Sequence, residues 1–362
     1  GAMKFEDITV KSGIVGKKFW STGVTFADVN GDGLEDFFQG GAKFYSGIFY
    51  IQNQAGKFNA KPLEKSISVP QKLGEDLGSL LLDFDQDGDT DVFIGSRSVP
   101  GVYGIDPKHL LLENDGKGNF KLDPEFNAYN VVPDMYNADA RFLDYDLDGD
   151  LDLIYVGNSN GNFPQGGIRV NTLLDPKITT NNYGQNSNNG YSYGMNLSMK
   201  DTKLDIADMD GDGDTDIVAM GTARSYNGNA FTDYPQLLLL RNRTIESKDA
   251  KFGSFFSYNN IYNATSIILD SVEKGDIKLV DFNNDGLVDI TLAGLDVKAN
   301  PVTKFYLNEG GFGNFTLSKN ESIPQYKEAA ISWGDANGDG SPDLWIVSGG
   351  NEYDENSREY QD

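Results

Sequence analysis

Apolar residues in this chain come in short runs, each opened by an aspartate and closed by a glycine. The runs are DFFQG (36–40), DVFIG (91–95), DLIYVG (152–157), DIVAMG (216–221), DITLAG (289–294) and DLWIVSG (343–349). Runs of this length, rich in β-branched and aromatic residues and bounded by turn formers, predict strands rather than helices. A second set of strand-sized segments precedes them, at 24–27, 80–82, 140–143, 204–207, 277–280 and 330–333. Downstream, segments such as 49–58, 109–120, 236–242 and 304–315 predict a third strand and a turn, and 119–122 and 314–317 a fourth. Four strands every ~55–70 residues, with no helical period between them, predict the blades of a β-propeller.

Between the first and second strand of each unit lies the same nine-residue pattern, D-x-(D/N)-x-D-G-x-x-D. It begins at Asp28, Asp83, Asp144, Asp208, Asp281 and Asp335. These six copies hold 25 of the 55 acidic residues and so account for much of the formal charge of −25. Carboxylates crowded into one short loop repel unless something neutralises them. The side-chain oxygens come from positions 1, 3, 5 and 9, and position 7 can add its backbone carbonyl. The candidate ligands are therefore Asp28, Asn30, Asp32, Leu34 and Asp36 in the first loop, and Asp83, Asp85, Asp87, Asp89 and Asp91 in the second. The third supplies Asp144, Asp146, Asp148, Asp150 and Asp152, and the fourth Asp208, Asp210, Asp212, Asp214 and Asp216. The fifth supplies Asp281, Asn283, Asp285, Leu287 and Asp289, and the sixth Asp335, Asn337, Asp339, Ser341 and Asp343. Hard oxygen donors without His, Cys or Met suit calcium, about six ions if every loop fills. Glycine at position 6 permits the tight turn that aims the oxygens inward.

Two other readings of the loops fit the pattern less well. Ion-free Asp/Gly turns would explain one copy, but six in one register argue against them. A helix–loop–helix calcium hand needs a glutamate at position 12. Here that position holds Gln39, Ile94, Tyr155, Ala219, Leu292 and Ile346, and strands flank every loop.

The DxDxDGxxD loops followed by strand and glycine, as in 83–95, resemble those of the FG-GAP/VCBS repeat propellers, relatives of the integrin α-subunit heads. The L-x-N-D-G-x-G-N-F-like hairpins at 112–120 and 307–315 and the opening FEDITVKSG (5–13) carry the same resemblance. It spans nearly the whole chain and implies an all-β propeller of four-stranded blades stabilised by calcium: six blades, with a seventh left open. Family members include adhesion heads, lectins, surface proteins and modules attached to enzymes. Asn30, Asn283 and Asn337 depart from the full acidic pattern at position 3 but keep an oxygen.

On this reading residues 1–362 form a single propeller domain, with Gly1–Met3 as the scar of an expression tag. Phe5–Thr9 reads as a fourth strand and Leu344–Val347 as a second. The sixth blade is expected to lack its third strand because the chain was cut from a longer one.

The remaining chemistry is sparse. There is no cysteine, one histidine (His109), and no GxSxG, HExxH or phosphate-binding loop. His109 beside an apolar run predicts an ordinary strand-edge histidine. The negative field disfavours nucleic acid, and no apolar run reaches the ~20 residues of a spanning helix. The longest departures from the repeat are 158–200, rich in Asn, Gly and Tyr, with 96–107 and 222–235 at the same topological position. Tyrosine rings and side-chain amides suit sugar or protein contact, which marks Tyr183, Tyr191, Tyr193 and Tyr226 as candidate ligand-binding residues. The expected function is a non-catalytic, calcium-stabilised binding or adhesion propeller recognising a glycan or an extracellular protein. The alternative is an enzyme, or an enzyme-attached propeller, acting on polysaccharide as a lyase or glycoside hydrolase. Extracellular calcium modules bind at ~10⁻⁴–10⁻³ M, so the expected location is extracellular or at the cell surface, or in a periplasm.

Overall fold

The computed structural model describes residues 5–14, 23–41, 47–63, 75–97, 109–123, 135–145, 147–159, 163–169, 199–226, 231–242, 244–245, 256–257, 269–319, 323–326 and 329–348. Among them there is no α-helix, and every sheet pairing is between antiparallel strands. The fold is all-β, built of four-stranded blades of the propeller type.

Two compact units are distinguished, Gly1–Thr202 with Asn242–Phe256, and Lys203–Arg241 with Ser257–Asp362. In the first unit, the first blade orders β1 (Val24–Ala27), β2 (Asp36–Gln39), β3 (Ile48–Gln52) and β4 (Phe58–Pro62) side by side. The second repeats this with β5 (Glu75–Leu82), β6 (Asp91–Arg97), β7 (Leu110–Asn114) and β8 (Phe120–Leu122). The third shows β9 (Met135–Leu143), β10 (Asp152–Ser159) and β11 (Phe163–Arg169).

A further sheet orders β12 (Met199–Ala207), β13 (Asp216–Tyr226), β14 (Phe231–Arg241) and β15 (Phe256–Ser257). The second unit also holds the blade of β16 (Glu273–Val280), β17 (Asp289–Leu295), β18 (Pro301–Asn308) and β19 (Phe315–Leu317). Its last sheet is the pair β20 (Ala329–Gly334) and β21 (Asp343–Ser348).

The second strands β6, β13 and β17 read as continuous apolar runs because both of their faces are covered, whereas β21 leaves Trp345 and Val347 exposed. In β6, Val92 and Ile94 pack with Phe38, Phe49 and Leu112 toward the first blade. Phe93, pointing the other way, packs with Phe84, Leu153 and Tyr155 toward the third. The same sandwiching recurs between the β13 and β17 blades, where Val218, Met220, Leu237, Ile290 and Leu292 meet. Each such side chain contributes ~1.5–3 kcal/mol of burial, so adjacent blades stabilise one another rather than fold alone.

Three expectations are corrected. Residues 5–13 are not a strand: Ser12 N–H donates to Ile8 O and Gly13 N–H to Val10 O, closing turns, and Phe5 is exposed. The 222–235 segment is not an inserted loop. Thr222–Tyr226 extends β13 and Phe231–Pro235 begins β14, paired from Thr222↔Pro235 to Tyr226↔Phe231. Likewise the start of the 158–200 stretch is a hairpin, with Asn158↔Pro164 and Ser159↔Phe163 in register. A backbone hairpin satisfies its own N–H and C=O groups, so polar residues can extend a strand as readily as they make a loop.

Candidate metal centres in the blade loops

Each acidic loop joins the first and second strands of its sheet, as its position in the sequence predicts. Position 6 is in the left-handed region in all six copies, with φ between 81° at Gly33 and 96° at Gly149 and Gly213. Position 4, which the sequence pattern leaves free, has the same requirement. Gly31, Gly211 and Gly338 meet it without strain, whereas Gln86, Leu147 and Asn284 adopt φ of 60°, 58° and 60°. Two of these side chains recover something in return: Gln86 donates its amide to Gly149 O of the next loop, and Asn284 donates to Gly340 O, 3.2 Å away.

The ninth-position aspartates form the foot of each loop. Asp36, Asp152, Asp216 and Asp289 are fully buried and Asp91 nearly so. Asp36 accepts Val29 N–H at 3.2 Å on one oxygen and Gln52 N–H at 2.6 Å on the other. Asp91 accepts Phe84 N–H at 2.9 Å and Asn114 N–H at 2.8 Å in the same way. Asp152, Asp216 and Asp343 take the second-position N–H of their own loops, and Asp289 takes Asn308 N–H. The foot carboxylate thus ties the loop to the third strand. Burial pushes the carboxyls of Asp91 and Asp289 up to about 6, against the pull of the amides they accept.

At the mouth, the first-position carboxylate turns into the loop. Asp28 accepts Gly31 N–H at 2.8 Å on Oδ1 and Gly33 N–H at 2.7 Å on Oδ2. Asp208, Asp281 and Asp335 repeat the contact with their sixth-position glycines. Desolvation raises the carboxyl of Asp28, but these amides outweigh it and hold the group below its ordinary value. Burial, followed by the repulsion of Asp87, lifts Asp85, and burial likewise lifts Asp144.

The donor set fits a hard divalent cation. Ligand oxygens of Asp83, Asp85 and Asp91 lie within 4.8 Å of one another, as do those of Asp208, Asp210 and Asp216. Asp144 Oδ1 is buried with no hydrogen-bond partner. A carboxylate oxygen in that condition is costly unless a cation or a proton meets it. In the third loop Asp144, Asp148, Asp150 and Asp152 lie in the same order along the chain, while Asp146 lies outside the described residues.

Sequence reasoning missed the third-strand asparagines that bond to a preceding loop. Asn114 Nδ2 donates to Val29 O (2.7 Å) of the previous loop and to Thr90 O (2.9 Å) of its own. Asn308 makes the same pair with Met209 O and Val288 O, both within 3.0 Å. Asn242 reaches Tyr145 O at 3.1 Å. The signal was present, an asparagine recurring at the end of the third strand. It could be read as a turn residue.

Of the proposed ligand-binding residues, Tyr183, Tyr191 and Tyr193 lie outside the described residues, as does 98–107 in the 96–107 segment. Tyr226 ends β13, paired with Phe231. His109 is buried against Phe93, their rings 6.0 Å apart and nearly parallel. No helix of the described residues is long and apolar enough to cross a membrane.

Six copies of one acidic loop, set in antiparallel blades and stapled by a recurring asparagine, define a repeat protein of the propeller class. Residues 281–346, which hold the fifth and sixth acidic loops, match the family model described as FG-GAP-like repeat. No curated protein matches the sequence. Among solved structures it is similar to a lectin of Agrocybe aegerita described as specifically recognising non-reducing terminal N-acetylglucosamine. That likeness has 15% identity, covers 90% of this chain and 85% of the other, and has a TM-score of 0.32. It is also similar to a thermostable family-43 glycoside hydrolase, at 11% identity over 84% and 96% of the two chains and a TM-score of 0.39. Both TM-scores lie below 0.5, and neither likeness bears on function.

Proposed function

We propose that this protein is a calcium-stabilised binding propeller that works outside the cytoplasm and recognises a glycan or an extracellular protein. The observation that supports it is the convergence of carboxylate oxygens from positions 1, 3 and 9, within 4.8 Å of one another in the second and fourth loops. Calcium would be held by positions 1, 3 and 5, by the carbonyl at position 7 and by the remaining lone pairs of position 9. It would supply positive charge to the acidic loops, bringing the formal charge from −25 to about −13 if all six fill. The ions are structural on this reading, since blades that cannot close alone gain stability from a ligand bound only when folded. Affinities of ~10⁻⁴–10⁻³ M, usual for extracellular calcium modules, fit calcium outside the cell.

Recognition is assigned to the Tyr- and Asn-rich stretch around 178–195, which in the chain follows β11, the third strand of its blade. The one buried acid outside the loops among the described residues, Asp276, accepts Ile331 N–H at 2.9 Å and so has a structural task. The test is a glycan array and a secreted-protein pull-down in calcium, followed by titration of the hits. Wild type is compared with a variant carrying a short Gly/Ser linker in place of 178–195. Loss of binding at unchanged melting temperature and calcium content supports the reading; unchanged affinity for a verified ligand moves recognition elsewhere.

A further inference from the structure

The six loops share a pattern, but the residue facing each foot from the third strand differs. The registers Phe37↔Tyr50, Val92↔Leu112, Ile217↔Leu240 and Ile290↔Tyr306 place the next third-strand residue opposite the ninth-position aspartate. That residue is Ile51 in the first blade, Glu113 in the second, Arg241 in the fourth and Leu307 in the fifth. Two are neutral, one is an acid and one is a permanent cation.

Arg241 turns into its loop. Its Nε lies 2.5 Å from Asp210 Oδ2, and its Nη2 donates to Asp212 Oδ2 at 3.1 Å. These are the third and fifth positions, two of the side chains that calcium would use. The Asp210 side chain is 4% exposed and that of Arg241 is 30%, so the pair sits largely out of water. Phe312 flanks the guanidinium, with Cζ 6.0 Å from the ring centroid. Among the described residues, no basic side chain is paired with the third or fifth positions of the first, second, fifth or sixth loops. In the second loop the equivalent Glu113 does the reverse: its charge adds to that of Asp87 in raising Asp85, while Lys121 pairs with it.

We propose that Arg241 is the built-in cation of the fourth loop. Its guanidinium takes the place of calcium there, so that this loop closes without the ion and the chain fills five loops rather than six. The proposal rests on the reading that the other loops bind calcium. A guanidinium keeps its charge at any working pH and forks across two carboxylates. An incoming divalent ion must therefore displace Arg241 from Asp210 and Asp212 while being repelled by it. Asp210 Oδ1, buried and without a hydrogen-bond partner, stays available to an ion once the arginine is removed. The fourth loop then serves as a fixed staple in a structure whose other loops depend on calcium.

The experiment uses the full chain stripped with chelator, with calcium alone as the probe. Elemental analysis and calorimetric titration are expected to count five ions for wild type and six for Arg241→Gln. Hydrogen exchange reads the loops one by one. Removing calcium from wild type should speed exchange at 281–289 by about tenfold or more, and at 208–216 by less than about twofold. In Arg241→Gln, 208–216 should become as calcium-dependent as 281–289. Six equal sites in wild type, or a fourth loop as chelator-sensitive as the fifth, would overturn the proposal, as would a count of five in the variant. Should Arg241→Gln fail to fold, the wild-type exchange comparison decides alone. If no loop responds to calcium, the calcium reading itself falls and this inference with it, whereas six equal sites overturn the inference only.

Discussion

The foot and the mouth of each acidic loop are made of the same residue, yet they are not equivalent. At the foot, Asp36 and Asp91 each spend both oxygens on backbone N–H groups and are sealed from water. At the mouth, Asp28 accepts the N–H groups of Gly31 and Gly33, and Asn30 accepts that of Asp32, in a half-open turn. Both ends accept backbone amides, and what separates them is burial: Asp36 is fully buried, whereas Asp28 is half-buried and Asp32 exposed.

Calcium removal tests the mouth with the largest expected effect. A site held at about a hundred times its Kd contributes about 2.7 kcal/mol, so chelation should lower the melting temperature steeply while far-UV circular dichroism of the residual fold stays strand-like. Asp83→Asn should remove roughly one such increment. A melting temperature indifferent to chelator would leave the mouths as plain turns.

Next comes the foot. Asp91→Ala strands the N–H groups of Phe84 and Asn114, at about 1–3 kcal/mol each, and chemical unfolding should show this loss with calcium absent as well as present. A loss confined to calcium-loaded protein would make the foot a ligand and nothing more. Asn114→Ala should cost about 1–3 kcal/mol by the same measurement, because Val29 O and Thr90 O lose their donor.

A gain is expected at Leu147. Its left-handed φ of 58° and 43% exposure mean that Leu147→Gly relieves strain of about 1–2 kcal/mol, partly offset by the entropy of glycine. The thermal midpoint should rise slightly with the calcium count unchanged; a fall would show that the side chain, not the backbone, matters there.

The smallest effect lies outside the motif, at a carboxylate neutralised by a side-chain cation. Burial raises the Asp270 carboxyl, but hydrogen bonds from Lys304 and Tyr306, the latter at 2.6 Å, outweigh it and hold the group below its ordinary value. A depressed folded value contributes stability above the unfolded pKa of about 3.9, which is lost as pH falls through the folded one. Wild type should therefore weaken more steeply than Asp270→Asn below about pH 4. Parallel acid limbs would remove the ion pair from the account.

The strands were largely legible in the sequence. Of the six predicted first strands, 24–27 is β1 to the residue, and the others are extended toward their N-termini, as 204–207 becomes Met199–Ala207. Apolar runs between turn formers report strand existence well because burial on two faces demands them. They report strand length badly, because polar hairpins such as 222–235 satisfy their own backbone. Phe5–Thr9 failed for a related reason: Ile8 O accepts Ser12 N–H and Thr9 N–H donates to the Asp7 carboxylate, local bonds in place of a ladder.

By itself the sequence determined the class of fold, the place of every acidic loop and the glycine at position 6, because composition and spacing act through the local backbone. Tertiary structure decided what local chemistry cannot. It set the left-handed turn at position 4, the asparagines that bond to a preceding loop, and the burial of the ninth-position aspartates. It also decided that Arg241, 25 residues beyond Asp216 in the chain, lies across the fourth loop. These depend on which backbone groups the packed blades bring within about 3 Å, a distance fixed only when the sheets have packed.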